Sequence, residues 1–210
     1  ELELRKPDAK LGVGSGGHGR QTGSMMQLLE PIIVSHRPDA VLVYGDTNST
    51  IAGALTAVKL HVPVVHVEAG LRSFNRRMPE EHNRVLTDHC SSLLFCPTTT
   101  AQQNLAKEGL GKKAFLTGDV MADALAAARQ LSLKRADRVA GVPAGEFYVA
   151  TIHRADTTDD LSILREVIQA LATLSLPVVL PAHPRLRRKL DACSDLLSRS
   201  RISIIEPLGY

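Results

Sequence analysis

Asp46, Glu68 and His153 each stand directly after an apolar run of strand length, and Glu80 and Glu81 open a helical stretch soon after Glu68. In parallel α/β sheets the ligand lies outside the carboxyl ends of the strands. Carboxylates and an imidazole at those ends do little for a fold and are well placed to move protons in a cleft. Each residue also has a plainer reading. Asp46 fits the N-cap of a helix starting at Thr47 or Asn48, and Glu80 and Glu81 fit first-turn acids favoured by the helix dipole. His66 lies inside a strand and reads as a core histidine, while His61, His82 and His89 read as surface or packing residues. Arg185, Arg187, Arg188 and Lys189 read as a solvated helix face. The functional reading rests on convergence: three acids and a histidine at strand ends, facing one cleft.

The elements that must position these groups follow from the order of apolar runs, because buried parallel strands read as near-continuous hydrophobic stretches. Strands are expected over 40–44, 62–67, 93–96, 114–116, 147–152, 177–180 and 202–205. Helices are expected over 21–36, 48–60, 80–90, 98–108, 123–134, 160–174 and 185–198. Strict alternation implies right-handed crossovers and parallel sheets. The series restarts near Gly118 and Asp119, which predicts two doubly wound units, 1–118 and 119–210, in place of one barrel. The charged opening segment and the close at Glu206-Pro207-Leu208-Gly209-Tyr210, without a covering helix, lead us to expect that both units are incomplete in this chain.

Composition narrows the setting. Twenty-five basic against 22 acidic residues leave +3, too weak and dispersed to argue for nucleic acid. Aromatic residues are 3% with no Trp, which removes the stacking platforms of single-strand binders. No stretch approaches the ~20 apolar residues of a membrane helix, and no basic-then-apolar leader is present, so a cytoplasmic protein is expected. Three cysteines without a C-x-x-C pair signal neither a disulfide framework nor a metal site. Gly12-x-Gly14-x-x-Gly17 matches the dinucleotide fingerprint in letters only. That motif needs a buried strand before it and an acid ending the next strand. Here Lys6, Pro7, Asp8 and Lys10 precede it, and Asp39 comes before its strand. A loop feeding the first helix is the expectation, with no nicotinamide cofactor.

Five segments carry a resemblance. Gly45-Asp46-Thr47, His66-Val67-Glu68-Ala69-Gly70-Leu71-Arg72, Pro79-Glu80-Glu81-x-Asn83-Arg84, Thr117-Gly118-Asp119 and Thr151-Ile152-His153-Arg154 closely resemble the non-hydrolysing UDP-N-acetylglucosamine 2-epimerases, in order and in spacing. The run from Leu71 to Pro79 looks more like the branch acting on UDP-2,3-diacetamido-glucuronate. Asp156 and Thr157 depart from the Glu-Asn of many members. The resemblance implies two Rossmann-like domains of the GT-B type with the active site between them. It implies Asp46, Glu68, Glu80 and His153 as catalytic groups. Arg84, Arg72, Arg154 and His183 would bind substrate, His183 where relatives contact a second UDP-sugar. It further implies a UDP-sugar substrate, no cofactor, and a homodimer at full length. A GT-B glycosyltransferase and an inactive nucleotide-sugar-binding fragment are the competing classes.

Overall fold

The computed structural model describes residues 5–132 and 139–208, with the side chains of Ala155 and Asp156 outside the description. The chain divides into two compact units, Arg5–Arg129 and Gln130–Tyr210. The division falls within the helix that follows Gly118-Asp119, where the two series of elements meet.

In the first unit, helix α1 (His18–His36) leads into β1 (Val41–Tyr44), α2 (Asn48–Lys59), β2 (Val64–Val67), α3 (Pro79–Cys90), β3 (Leu93–Cys96), α4 (Thr99–Lys107) and β4 (Ala114–Leu116). Helix α5 (Val120–Ser132) follows. The sheet order is β1-β2-β3-β4 and every pair is parallel. Sequential parallel strands joined by right-handed crossovers carry their helices on one face. Burial agrees: the in-register row Val43, His66, Leu94 and Ala114 is buried, whereas Leu42, Tyr44, Leu93 and Phe115 on the other face are exposed. Helix α2 lies close to the sheet because its buried face is built of Ala52, Gly53, Ala54 and Ala57. It packs against α1 and α3. Residues 6–17 form no strand, and Gly17 serves only as the N-cap of α1, so the dinucleotide reading has no structural support here.

The second unit holds β5 (Tyr148–Val149), β6 (Val178–Pro181) and β7 (Ile202–Ile205), parallel and in that order, with α6 (Ala155–Thr158), α7 (Leu161–Ala172), α8 (Pro184–Leu190) and α9 (Ser194–Leu197). Leu164 and Ile168, one turn apart on α7, meet Leu180, Leu186, Leu190 and Cys193 in a single core. Asp160 caps α7 by accepting from the amides of Ser162 at 2.9 Å and Ile163 at 3.3 Å. The helix expected over 185–198 is interrupted by a tight turn at Asp191–Cys193, which brings Leu190 and Cys193 onto the core together. Strand β5 is shorter than expected because only β6 pairs with it. The α/β class with parallel sheets is thus as expected from the sequence.

Gly70 shows how tightly the end of β2 is packed. Its φ is +81°, and a Cβ there would lie 2.4 Å from the carbonyl oxygen of Ala101 on α4. Both the left-handed backbone and the overlap penalise any side chain, so Gly70→Ala should lower stability by about 2–5 kcal/mol. A urea-unfolding midpoint equal to that of the parent chain would refute this packing.

Candidate active site

The carboxyl ends of β1 and β2 supply the first two acids. Gly45, at φ +66°, turns the chain off β1 and delivers Asp46. Asp46 does not cap α2: the N-cap is Thr47, and the Asp46 carboxylate instead accepts from Arg84 Nη2 at 2.6 Å. The same nitrogen donates to Glu68 Oε1 at 3.1 Å, and Arg84 Nη1 donates to the Glu68 carbonyl oxygen. Arg84 is buried on α3, while the Asp46 and Glu68 side chains keep 31% exposure each. Two carboxylates brought this close repel one another. A planar guanidinium between them offsets that repulsion and fixes their spacing. Asn83, one residue earlier, donates to the Asp46 carbonyl at 2.9 Å.

Glu80 and Glu81 sit at the positive end of α3, in the first turn behind Pro79. They diverge in use. Glu81 accepts from the Ser73 amide at 2.7 Å, the Ser73 hydroxyl at 2.8 Å and the Phe74 amide at 3.2 Å, and so shapes the loop between β2 and α3. Burial works against its charge, but these donors hold its carboxyl below the usual range. Glu80 makes no hydrogen bond among the described residues. It borders a cavity of about 180 Å³ with Asp46, Leu71, Ser73, Met78, Glu81 and Arg84. The described residues include no group of three or more His, Cys, Asp or Glu arranged to hold a metal ion.

A buried ionic network lies beneath this cavity. His66 and Asp88, both with fully buried side chains, face each other at 2.7 Å. Asp88 Oδ2 accepts from the Gly70 amide at 3.1 Å and from Arg72 Nη1 at 2.7 Å. Arg72 also holds Glu108 in a two-pronged contact, Nε to Oε1 at 2.8 Å and Nη2 to Oε2 at 2.7 Å. Burial opposes the Arg72 charge, yet Glu108 and Asp88 raise its pKa, and the Arg72 bonds in turn lower that of Glu108. The Cys96 thiol is pushed up to about 11, by burial first and by the Asp88 charge second, so it stays protonated near neutrality.

Arg72 is 1% exposed at its side chain and directs its donors inward to Asp88, Glu108 and the Leu71 carbonyl. Arg72 also borders the cavity that Asp46, Glu80 and Arg84 line.

In the second unit, His153 and His183 border a cavity of about 230 Å³ together with Thr158, Asp159, Arg185 and Lys189. Arg154 is exposed, and its carbonyl accepts from the amides of Thr157 and Thr158. His183 is the N-cap of α8, its Nδ1 accepting from the Arg185 amide at 3.3 Å. Lys189 pairs with Asp159 and Arg187 with Glu206, as a solvated basic face would. The first unit therefore gathers Asp46, Glu68, Glu80 and Arg84, and the second gathers His153 and His183.

Comparison with known proteins decides the family, because a family model described as UDP-N-acetylglucosamine 2-epimerase matches residues 1–210. The chain belongs to the UDP-N-acetylglucosamine 2-epimerase family. A UDP-N-acetylglucosamine 2-epimerase homolog of Methanococcus maripaludis is 45% identical over the whole chain and 60% of its own length. The UDP-2,3-diacetamido-2,3-dideoxy-D-glucuronate 2-epimerase of Pseudomonas aeruginosa is 46% identical over the whole chain and 59% of its own length. Among solved structures, the Methanocaldococcus jannaschii UDP-GlcNAc 2-epimerase in complex with UDP-GlcNAc and UDP superposes with a TM-score of 0.86 at 40% identity, covering 99% of this chain and 60% of that one. The chain thus spans about 60% of the length of these epimerases. No helix among the described residues is long and apolar enough to cross a membrane.

The network predicts a measurable acid dependence. A carboxylate held below its unfolded value, as Glu108 is, contributes stability that is present above the usual 4.5 and is lost as pH falls through the lowered value. Arg72→Met removes that contribution and leaves Asp88 Oδ2 buried without its guanidinium partner. It should cost about 3–5 kcal/mol at neutral pH and flatten the loss of stability between neutral and acid pH. Urea unfolding at a series of pH values checks both; an unchanged acid slope would refute the role given to Arg72.

Proposed function

We propose that the protein to which this chain belongs interconverts UDP-N-acetylglucosamine, or a 2,3-diacetamido uronate analogue, with its C2 epimer. The observation that carries this reading is the pairing of Asp46 and Glu68 through Arg84, with Glu80 on the same cavity, in a chain of this family.

The reaction explains why such a cluster is needed. The C2–H bond has no carbonyl beside it, so a base cannot draw off that proton and leave a stable carbanion. If the C2 proton departs as the C1–O bond breaks, the C–H electrons form a C1=C2 double bond. UDP then leaves with the electrons of the C1–O bond. For the return, a proton arrives at C2 on the opposite face while a UDP oxygen adds back to C1. Atoms and charges balance without a redox cofactor. Two faces call for at least two positioned acid–base groups, which Asp46, Glu68 and Glu80 provide on this reading. The departing diphosphate calls for cationic or N–H donors, a role given to His153 and Arg154, with His183 placed where a second UDP-sugar would bind. The homodimer implied by the resemblance and the cytoplasmic setting expected from the sequence belong to the same reading.

Proton NMR of the full-length protein in heavy water, with UDP-N-acetylglucosamine and separately with the diacetamido uronate, should show deuterium entering C2 and a trace of free UDP without any acceptor sugar. A glycosyltransferase would instead need an acceptor and leave C2 unlabelled. Asp46→Asn, Glu68→Gln and Glu80→Gln should each lower turnover by ~10²-fold or more. Turnover near that of the parent in all three would end the acid–base assignment.

A further inference from the structure

His66 is a buried titratable group that the acid–base reading leaves unused, and its contacts run directly into the site. The ring is fully buried between two acceptors, with Nδ1 at 2.7 Å from Asp88 Oδ1 and Nε2 at 2.8 Å from the Gly45 carbonyl oxygen. A carbonyl oxygen only accepts, so Nε2 carries a hydrogen. Two lone pairs at 2.7 Å would repel, so a second hydrogen lies between Nδ1 and Asp88. The other Asp88 oxygen already accepts from the Gly70 amide and Arg72 Nη1, so Asp88 meets all of its partners as an acceptor. That second hydrogen therefore sits on Nδ1. The charged and titratable groups around the pair are Asp88 on α3, Arg72 from the loop after β2 and the protonated Cys96 thiol on β3.

The Gly45 carbonyl lies in the same peptide plane as the Asp46 amide. Gly45 donates its own N–H to the Val67 carbonyl at 3.1 Å, and Asn83 holds the Asp46 carbonyl at 2.9 Å. Between these two anchors only His66 holds the Gly45–Asp46 peptide plane itself, which sets the direction in which the chain leaves this left-handed turn.

We propose that His66 is a positioning residue for the epimerisation: as a doubly protonated ring seated on Asp88, it clamps the Gly45 carbonyl and so sets the direction in which the Asp46 carboxylate enters the site. This rests on the reading of Asp46 as an acid–base group.

The test begins with full-length protein labelled with ¹⁵N-histidine. Both ring nitrogens of His66 should resonate as protonated. In Asp88→Asn, the amide can donate to Nδ1 while its oxygen keeps the Gly70 and Arg72 contacts, so His66 should lose one ring proton and keep the Nε2–H contact to Gly45. An unprotonated ring nitrogen in the parent protein overturns the proposal. His66→Phe should lower kcat by ~10²-fold with little change in KM, as misplacement of a reacting group does. In an Asp46→Asn background the same change should produce no further loss, whereas additive losses overturn the proposal. Full turnover in Asp46→Asn alone would instead overturn the acid–base reading. The clamp is then judged by the Gly45 carbonyl ¹³C resonance, which must shift on His66→Phe if the contact exists. Where His66→Phe fails to fold, His66→Gln, whose amide can donate to Gly45, replaces it and should retain most of the turnover; a loss equal to that of Asp46→Asn overturns the clamp.

Discussion

The site is organised by one buried carboxylate. Asp88 has no exposure and would carry a desolvation cost of several kcal/mol if left alone. It is not alone: its two oxygens meet the His66 ring, the Gly70 amide and the Arg72 guanidinium, all from β2 and the stretch that leaves it. Satisfying Asp88 therefore fixes β2, the turn that follows it and the loop leading to α3 in a single act. Arg72 extends the arrangement to Glu108 at the end of α4, so that half of the first unit shares one chain of opposite charges. Breaking any member exposes its neighbour to an unpaired charge in a dry setting, and such networks fail together.

Above that layer, Arg84 performs the same office for the acids that face solvent. It bridges Asp46 and Glu68 from within α3 and contacts the Glu68 backbone as well as its side chain. Arg84 and Asp88 are one helical turn apart, so one face of one helix holds both the exposed carboxylates and the buried ones. Glu80 and Glu81, at the head of the same helix, complete the set. Helix α3 thus acts as a rail against which the ends of β1 and β2 are aligned, and its own fixation depends on the ion pairs below it.

Most of the fold could be read from the sequence because parallel strands announce themselves as apolar runs: the ends of Leu93–Cys96 and Ala114–Leu116 match the expected ones. Asp46, Glu68 and Glu80 stood out by position at strand and helix ends, and Arg84 through the resemblance alone. The buried layer did not. Asp88 and Glu108 drew no reading from the sequence, and Arg72 was implied only as a substrate ligand, without its inward partners. The signal that would have found them is the spacing of Arg84, Thr87, Asp88 and Ser91, which makes the inward stripe of α3 polar where an apolar one is the rule. A polar stripe facing a sheet requires partners on that sheet, and His66 is the polar residue of β2 available to supply one. The break in the helix after Leu190 was hidden for a different reason: no proline or glycine marks it, and only the pull of Leu190 and Cys193 on the core produces it.

Glu68 occupies a left-handed backbone, φ +70°, that an ordinary side chain enters at a cost of roughly 1–2 kcal/mol. Glycine or asparagine would relax that turn. The glutamate is thus held against local conformational preference, and robustness and activity pull in opposite directions at this one position. A laboratory selection that rewarded only heat tolerance would drift towards glycine or asparagine here, and under the acid–base role proposed for Glu68 it would trade away turnover.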